Sequence, residues 1–265
     1  MFEKIKKDIA EKFKFLITLS PEHDLTTIEK NLMINKENGK ALLKSYNGSL
    51  KLTGSEKNIF SLTVKYAKKN HKAKIRVDEE GLHYNKEDFL SVSVEAKIPS
   101  YFFKTIDAEV TNGSLEVSSL NSNNLSIVCV NSQASLKNIK FKELSLDGKN
   151  TDINMKSFTG DKLIAKSTNK KVSFTNLDIN FLDFKGFSSQ TVFSVVKFEK
   201  YKNYNFSIIS KDADIVMHTS KSARVSYNID AKSDHTLNVN LFPDDGANTQ
   251  VNITAFSHNG SLKLD

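Results

Sequence analysis

The stretch Asn121–Phe158 reads NSNNLSIVCVNSQASLKNI and then KFKELSLDGKNTDINMKSF, two segments of nineteen residues whose apolar residues fall at the same places. A repeat of this length predicts stacked units, because one unit cannot bury its apolar side chains alone and needs its neighbours to do so. The pattern extends to five consecutive copies. The copies begin at Phe102, Asn121, Lys140, Thr159 and Asp178.

Four places of the repeat are apolar in every copy. The fifth and seventh places are two residues apart, and so are the fourteenth and sixteenth. Side chains two residues apart lie on the same face of a β-strand. We therefore expect two strands per copy, with these side chains pointing inward. The residues are Ile106, Leu125, Leu144, Leu163 and Leu182 at the fifth place, Ala108, Ile127, Leu146, Ala165 and Phe184 at the seventh, Val117, Leu136, Met155, Phe174 and Phe193 at the sixteenth, and Leu120, Ile139, Phe158, Leu177 and Val196 at the last.

Turn-forming residues separate the two runs of each copy, and Asn and Gly accept the left-handed backbone of a sharp corner. The pattern predicts an all-β fold, a parallel β-solenoid of about 19-residue coils, with roughly ten turns and a length near 50 Å at about 4.8 Å per strand. Tyr46–Leu52 and His258–Leu264 echo the repeat, so we expect one solenoid domain over residues 27–265. The turn segments are Thr111–Gly113, Asn131-Ser132, Gly148–Asn150, Thr168–Lys170 and Ser188-Ser189.

Residues 1–20 depart from the repeat and predict an N-terminal amphipathic helix that ends before Pro21. One side is apolar and the other carries lysines, so the helix could lie on an acidic membrane surface. Two other uses remain open: a cap over the open end of the solenoid, or self-association. The candidates for membrane contact are Phe2, Ile5, Ile9, Phe13, Leu16, Lys4 and Lys7.

The composition limits the class of partner. The formal net charge is +7, but only Arg76 and Arg224 among 38 basic residues are arginines, and no nucleic-acid reading motif accompanies the lysines. We therefore expect no specific nucleic-acid partner. The single Cys129 excludes an internal disulfide and is predicted to be a packed thiol.

No secretory signal with a clear cleavage site and no apolar run long enough to cross a membrane is present, so we expect a cytoplasmic or membrane-associated protein. Catalytic motifs are also missing, and we predict no catalytic residues, no cofactor and no metal site. The six histidines show no paired ligand spacing. They are His23, His71, His83, His218, His235 and His258.

The run Val94–Pro99, followed by Tyr101 and then Ile106–Val117, resembles the bacterial "putative adhesin" solenoid family. Members have a Lys-Pro or Leu-Pro step that leads into coils punctuated by Thr-x-Asn-Gly. Later coils depart from the pattern, with Asn131-Ser132 or Asn169-Lys170 in place of Asn112-Gly113. The resemblance implies a β-solenoid, often found in Gram-positive bacteria beside regulators of envelope stress, with no established activity.

Two function hypotheses follow. The first is a non-enzymatic scaffold or adhesin-like interaction protein, linked to the cell envelope, that binds an unknown protein, a membrane surface or a wall polymer. The alternative is a carbohydrate-binding or polysaccharide-cleaving β-helix, with candidates Tyr201, Tyr204 and Asp212 in the irregular late coils. For the fold itself, we expect Leu144 to be central in the core and Gly113 to form a corner that tolerates valine poorly if its φ is positive.

Overall fold

The structure, a computed structural model, describes residues 25–33, 39–100, 103–198, 202–219, 225–241 and 249–265. Its regular elements are strands and one turn of 3-10 helix at Lys86–Asp88. The amphipathic helix predicted for residues 1–20 lies outside the described residues. The strands are β1 (Thr26–Met33), β2 (Gly39–Tyr46), β3 (Ser49–Ser55), β4 (Ile59–Lys68), β5 (Arg76–Asp78), β6 (Gly81–His83), β7 (Phe89–Pro99), β8 (Phe103–Thr111), β9 (Ser114–Ser118), β10 (Asn121–Val130), β11 (Gln133–Lys149), β12 (Asp152–Thr168), β13 (Val172–Phe187), β14 (Thr191–Val196), β15 (Asn203–Lys211), β16 (Ile215–Thr219), β17 (Val225–Ser233), β18 (Leu237–Val239), β19 (Thr249–His258) and β20 (Leu262–Leu264).

The central strands pair in parallel at the predicted spacing. Asn121 pairs with Lys140, nineteen residues later, and the same shift relates β11 to β12, β12 to β13 and β13 to β14. Like residues therefore stack on like residues: Leu125 lies beside Leu144, and Leu144 beside Leu163. The predicted parallel β-solenoid is confirmed for this region.

The core is a continuous column inside the coils. Every residue at the four apolar places of the repeat is at most 2% exposed, Leu144 included. Phe174 and Phe193 stack in successive coils, with 4.7 Å between ring centroids and an interplanar angle of 3°. The Cys129 thiol is buried as predicted, and this burial raises its pKa to about 12.

The corners of the coils are made by residues with a left-handed backbone. The predicted corner in the middle of each copy contains Asn112, whose φ is 55°, whereas Gly113 does not have a positive φ. The expectation that a positive φ makes Gly113 intolerant of valine is therefore wrong. The close approach of the Gly48 backbone is the reason to expect that intolerance. A second corner, seven residues later, was not recognised in the sequence. The left-handed residues are Asn112, Asn131, Asn150 and Asn169 at the first corner, and Ser119, Asn138, Ser157 and Asn176 at the second.

The N-terminal end departs from parallel coiling. β3 pairs in parallel with β9 on one side and with β7 on the other, but β4 pairs with β7, and β1 with β4, in antiparallel orientation. Thr27 therefore lies in an antiparallel edge strand, and the parallel coils begin at β2, which pairs with β8. The segment between β3 and β8 is an excursion from the parallel coils and covers this end of the core.

At the C-terminal end the coils do not stack in chain order. β19 lies between β15 and β17, and β20 lies between β16 and β18. The coil formed by β19 and β20 is therefore stacked between the two coils that come before it in the sequence. Connections are longer here: Phe181 pairs with Asn205, 24 residues later. The solenoid has about 7 turns of about 22 residues on average, fewer than the ten expected, because the excursion and the long connections consume chain.

Candidate binding face

The predicted membrane-contact residues cannot be placed. All of them precede Leu25, where the described residues begin, so their role stays a prediction. Among the residues that the structure describes, no helix is long and apolar enough to cross a bilayer. The surface that the structure offers to a partner is that of the solenoid. The residues outside it are Phe2, Lys4, Ile5, Lys7, Ile9, Phe13 and Leu16.

The late-coil residues suggested for carbohydrate binding do not form an exposed cluster. Tyr204 is fully buried, and its ring contacts that of Phe198 with 4.9 Å between centroids. Asp212 is exposed, but it occupies a left-handed corner with a φ of 58°, where its Oδ1 accepts a hydrogen bond of 2.8 Å from Asn259 Nδ2. Tyr201 is not among the described residues. The suggestion was wrong for Tyr204, which faces inward because of the alternation along β15.

One histidine lies beside two carboxylates, which the histidine spacing did not indicate. Asp78, Glu80 and His83 on the β5–β6 hairpin bring one ligand atom each within 4.8 Å. Both oxygens of Asp78 already have partners, because Arg76 Nε lies 3.0 Å from Oδ2 and His83 Nε2 lies 3.0 Å from Oδ1. Partial burial raises the pKa of Asp78, but its hydrogen bonds from His83 and the Glu80 amide and both neighbouring charges outweigh this and lower it. We interpret the cluster as an ion-pair network that closes the hairpin, since a metal ion would compete with Arg76.

A concave surface crosses four strands in the middle of the solenoid. β9, the first residues of β11 and β12, and the start of β13 pair side by side, and their outward side chains line a groove of about 750 Å³. We call this surface the groove face. Most of its outward residues are short and polar, because only alternate residues of each strand are needed for the core. They are Ser114, Glu116, Gln133, Ser135, Asp152, Asn154, Lys171 and Ser173.

Polar side chains of the groove face have no partner within the described part of the chain. Gln133, Ser135 and Asn154 are exposed, and none of the three side chains makes a hydrogen bond or ion pair with another described residue. The side chains of Glu116, which is exposed, and Ser173, which is half-buried, also make no hydrogen bond or ion pair with another described residue. Hydroxyl and amide groups can both donate to and accept from a ligand, and a carboxylate can accept, so these side chains can form hydrogen bonds with a polar molecule without breaking any protein contact.

The other broad side of the solenoid differs. It is formed by β2, β8, β10 and residues 143–149, and we call it the charged face. Several of its acids pair with lysines on neighbouring strands: Lys40 Nζ lies 2.7 Å from Asp107 Oδ2, and Lys44 Nζ lies 2.8 Å from Glu109 Oε2. Lys44 is directly opposite Glu109, and Lys40 is diagonal to Asp107. Opposite charges that are neighbours across strands stabilise a sheet, so this pairing serves the fold.

Comparison with known protein families shows which family has this architecture. The model of the family described as "Toastrack DUF4097" matches residues 24–265, nearly the whole chain. The chain belongs to the Toastrack DUF4097 family. This confirms the resemblance to bacterial adhesin-type solenoids that the repeat and its Asn-Gly corner indicated. The Toastrack DUF4097 family has no assigned enzymatic activity and no assigned molecular function.

Several solved structures from bacteria are similar to this Toastrack DUF4097 chain. A putative cell adhesion protein from Clostridium sporogenes is 12% identical, with 91% of this chain and 99% of that chain covered and a TM-score of 0.28. A putative adhesin from Bacteroides fragilis is 11% identical, with 91% and 97% covered and a TM-score of 0.43. A putative adhesin from Parabacteroides distasonis is 10% identical, with 91% and 98% covered and a TM-score of 0.42. No curated protein matches the sequence.

The groove face was missed in the sequence because its residues belong to no motif. The fifteenth place of the repeat points outward in the second strand and contains Glu116, Ser135, Asn154, Ser173 and Val192. None of the five is a lysine, but the sixth place, on the charged face, also lacks lysine, and Lys51 lies opposite Glu116 in the stack. The composition of these rows therefore does not distinguish the groove face before the coils are stacked.

Proposed function

We propose that this protein is a non-enzymatic interaction protein of the bacterial cell envelope that binds an extended, hydroxyl-rich wall polymer along the groove face. One observation carries the proposal: Glu116, Gln133, Ser135, Asn154 and Ser173 form a contiguous polar surface whose side chains have no partner in the described chain. Family membership and the regular coil support a binding role without assigning a ligand.

The spacing of the groove suits a polymer better than a small molecule. Successive strands lie about 4.8 Å apart, so equivalent side chains repeat at that distance along the solenoid axis. Ser135, Asn154 and Ser173 are such equivalents, in register on β11, β12 and β13. A chain of linked sugars offers hydroxyl groups at regular intervals, and each could meet one coil. Many weak hydrogen bonds along one line also give binding that depends on polymer length.

The groove does not support cleavage of that polymer. Its carboxylates, Glu116 and Asp152, belong to β9 and β12, which are separated by β11. Glu116 is in register with Asn154, so two strand spacings and two residues along the strand put its backbone about 12 Å from that of Asp152, and both side chains would have to lean towards each other to form a carboxyl pair. Asp152 Oδ1 also accepts a hydrogen bond of 3.2 Å from the Lys171 amide. A binding role is therefore preferred to a hydrolytic one.

Co-sedimentation with purified bacterial cell walls tests the proposal. The Ser135→Arg variant places a bulky cation in the groove and is expected to lose binding. Ser145→Arg is the matched control, because Ser145 is an equally exposed serine on the same strand β11 but on the charged face. Equal loss of binding in both variants, or in neither, would contradict a site on the groove face.

Association with the membrane is the second part of the proposal, and it rests on the amphipathic pattern of residues 1–20. A basic amphipathic segment would hold the solenoid at an anionic bilayer surface. Liposome co-sedimentation at low and moderate salt tests this, with Ile9→Asp as the disruptive variant and Ile59→Asp, a change at an exposed position of β4, as the control. Salt-sensitive binding lost only in Ile9→Asp is expected. Binding unaffected by Ile9→Asp would contradict the membrane role.

A further inference from the structure

In the part of the chain that the structure describes, the coil formed by β17 and β18 ends the stack without a cover. β17 pairs with β19, and β18 with β20, and within the described residues neither strand has a second partner on its outer edge. The opposite end of the stack differs, since β7 adds a parallel strand beyond β3, and β4 and β1 add antiparallel strands beyond β7. The described chain enters at that covered end, through β1.

The inward side of this last coil is left partly open. Leu237 is 47% exposed, whereas Leu262, its partner in the next coil, is 1% exposed. Tyr227 and Ile229 are also half-buried, although their partners on β19 are fully inside the core. An apolar solenoid end without a polar cap is unfavourable in water, because repeat proteins need polar terminal faces to stay soluble.

The outer edge of β17 also lacks the usual protection against strand pairing. The strand contains no proline, pairs with β19 over nine residues without a register shift, and has only one lysine. Free edges of this kind pair with another strand. β1 at the other end also carries one acid and one lysine, Glu29 and Lys30, but it is mostly exposed on both faces and so leaves no comparable open apolar side.

We propose that this end of the solenoid docks on the same end of a second copy of the chain, with the two β17 strands paired antiparallel about a twofold axis at Ala231. Twofold symmetry requires antiparallel pairing of identical edges. With Ala231 opposite Ala231, Asp230 faces Lys232 of the second copy, and Lys232 faces Asp230 of the second copy. Both side chains are exposed, and neither has a partner among the described residues.

The charges select this register over its neighbours. Pairing about Ile229 would place Asp230 opposite Asn228 and Lys232 opposite Ser226, with no charge matched. In the register about Ala231, each charge meets its opposite directly across the strands, which is the favourable arrangement for a sheet. The same register keeps Tyr227 and Ile229 on the inward side, where the two open cores meet. The proposal does not depend on the groove face, which lies on other strands.

Sedimentation velocity of the full chain over a wide range of concentration tests the proposal. The wild type is expected to show a monomer–dimer equilibrium. Asp230→Lys or Lys232→Asp alone creates two like-charge pairs across the axis and is expected to weaken the dimer about tenfold or more. The double variant Asp230→Lys/Lys232→Asp restores both pairs and should restore the affinity. Lys156→Asp, a charge reversal at an exposed residue of β12, is the control and should change nothing.

A wild type that stays monomeric at all concentrations overturns the proposal. A dimer that is not weakened by either single charge reversal also overturns it, as does a double variant that does not regain the wild-type affinity. Thermal unfolding of each variant shows that it is folded. A second measurement needs no charge change: Ala231→Cys should form a disulfide across the axis on oxidation, whereas Ser226→Cys, five residues from the axis, should not. The only native thiol, Cys129, is buried and does not interfere. A disulfide that forms equally well in both variants would rule out this register.

Discussion

Asn131 Nδ2 donates a hydrogen bond of 3.0 Å to Asn112 Oδ1, nineteen residues earlier in the chain and one coil away in the stack. The contact repeats along the corner, from Asn112 to Asn47, from Asn150 to Asn131 and from Asn169 to Asn150, at 2.9–3.1 Å. Each of these asparagines has a left-handed backbone. The ladder therefore combines the conformation that a corner needs with a side chain that ties one coil to the next.

Substitution of Asn131 separates the two contributions. Asn131→Ala removes two ladder hydrogen bonds. It also puts alanine in the left-handed backbone region, where alanine, unlike asparagine, has no polar side chain to stabilise that conformation. The free energy of unfolding should therefore fall by about 2–3 kcal/mol. Asn131→Gly loses the same hydrogen bonds but accepts the backbone, and should cost about 1 kcal/mol. Urea unfolding of both variants measures the difference. Equal losses would show that the left-handed corner contributes nothing.

Leu144 tests the stacked core. It is fully buried between Leu125 and Leu163, so Leu144→Ala should lower the free energy of unfolding by about 2–5 kcal/mol through lost burial and a residual cavity. Ser145→Ala, at the next and exposed residue, should change it by less than about 0.5 kcal/mol. Thermal or urea unfolding checks both values. Similar stabilities for the two variants would mean that the register of β11 is wrong.

Gly113 tests a close approach of two coils. A Cβ atom at Gly113 would lie 1.8 Å from the backbone oxygen of Gly48, so Gly113→Ala should cost about 3 kcal/mol and Gly113→Val at least as much. Gly186→Ala is the comparison, because its Cβ would lie 3.0 Å from a Phe184 side-chain atom, which has to give way by only a few tenths of an ångström, whereas at Gly113 the obstacle is backbone. Gly186→Ala should therefore cost clearly less than Gly113→Ala in thermal unfolding. A tolerated Gly113→Ala would contradict the tight packing of β8–β9 against β2–β3.

Cys129 gives the stability a specific pH dependence. Burial raises the pKa of its thiol from 9.0 to about 12, so the folded state holds this proton more tightly than the unfolded state. The stabilisation from this difference is full below pH 9 and is lost as the pH rises from 9 towards 12. Cys129→Ala lacks this loss, so its stability relative to the wild type should increase over that range. Parallel curves for the two proteins would show that the thiol does not titrate as described.

Features that follow from the repeat in the sequence could be predicted, whereas features that depend on which residues meet after folding could not. The inward places and the nineteen-residue register were predicted correctly, since burial of Leu125, Leu144 and their equivalents repeats along the chain. The ladder was missed because Asn112, Asn131 and Asn150 look like ordinary turn residues until the coils are stacked. Only stacking shows that their side chains meet.

Features at the ends could not be predicted from the repeat. The insertion of β19 between β15 and β17 depends on which edges are free when the last coil folds, and local propensity contains no such information. Tyr204 illustrates the consequence for function: without the register of β15, an inward tyrosine cannot be told from an exposed one. The groove face was missed for a similar reason, since small polar residues such as Ser135 and Ser173 form a surface only after stacking.

The binding face is tested most directly by an NMR titration of the full chain with a soluble fragment of bacterial wall polysaccharide. The side-chain amide signals of Gln133 and Asn154 and the backbone signals of Ser135 and Ser173 are expected to shift and saturate together. Signals from the half-buried Ser126 and the exposed Ser145 on the charged face should stay unchanged. Saturable shifts confined to the charged face, or no saturable shift anywhere, would contradict polymer binding on the groove face.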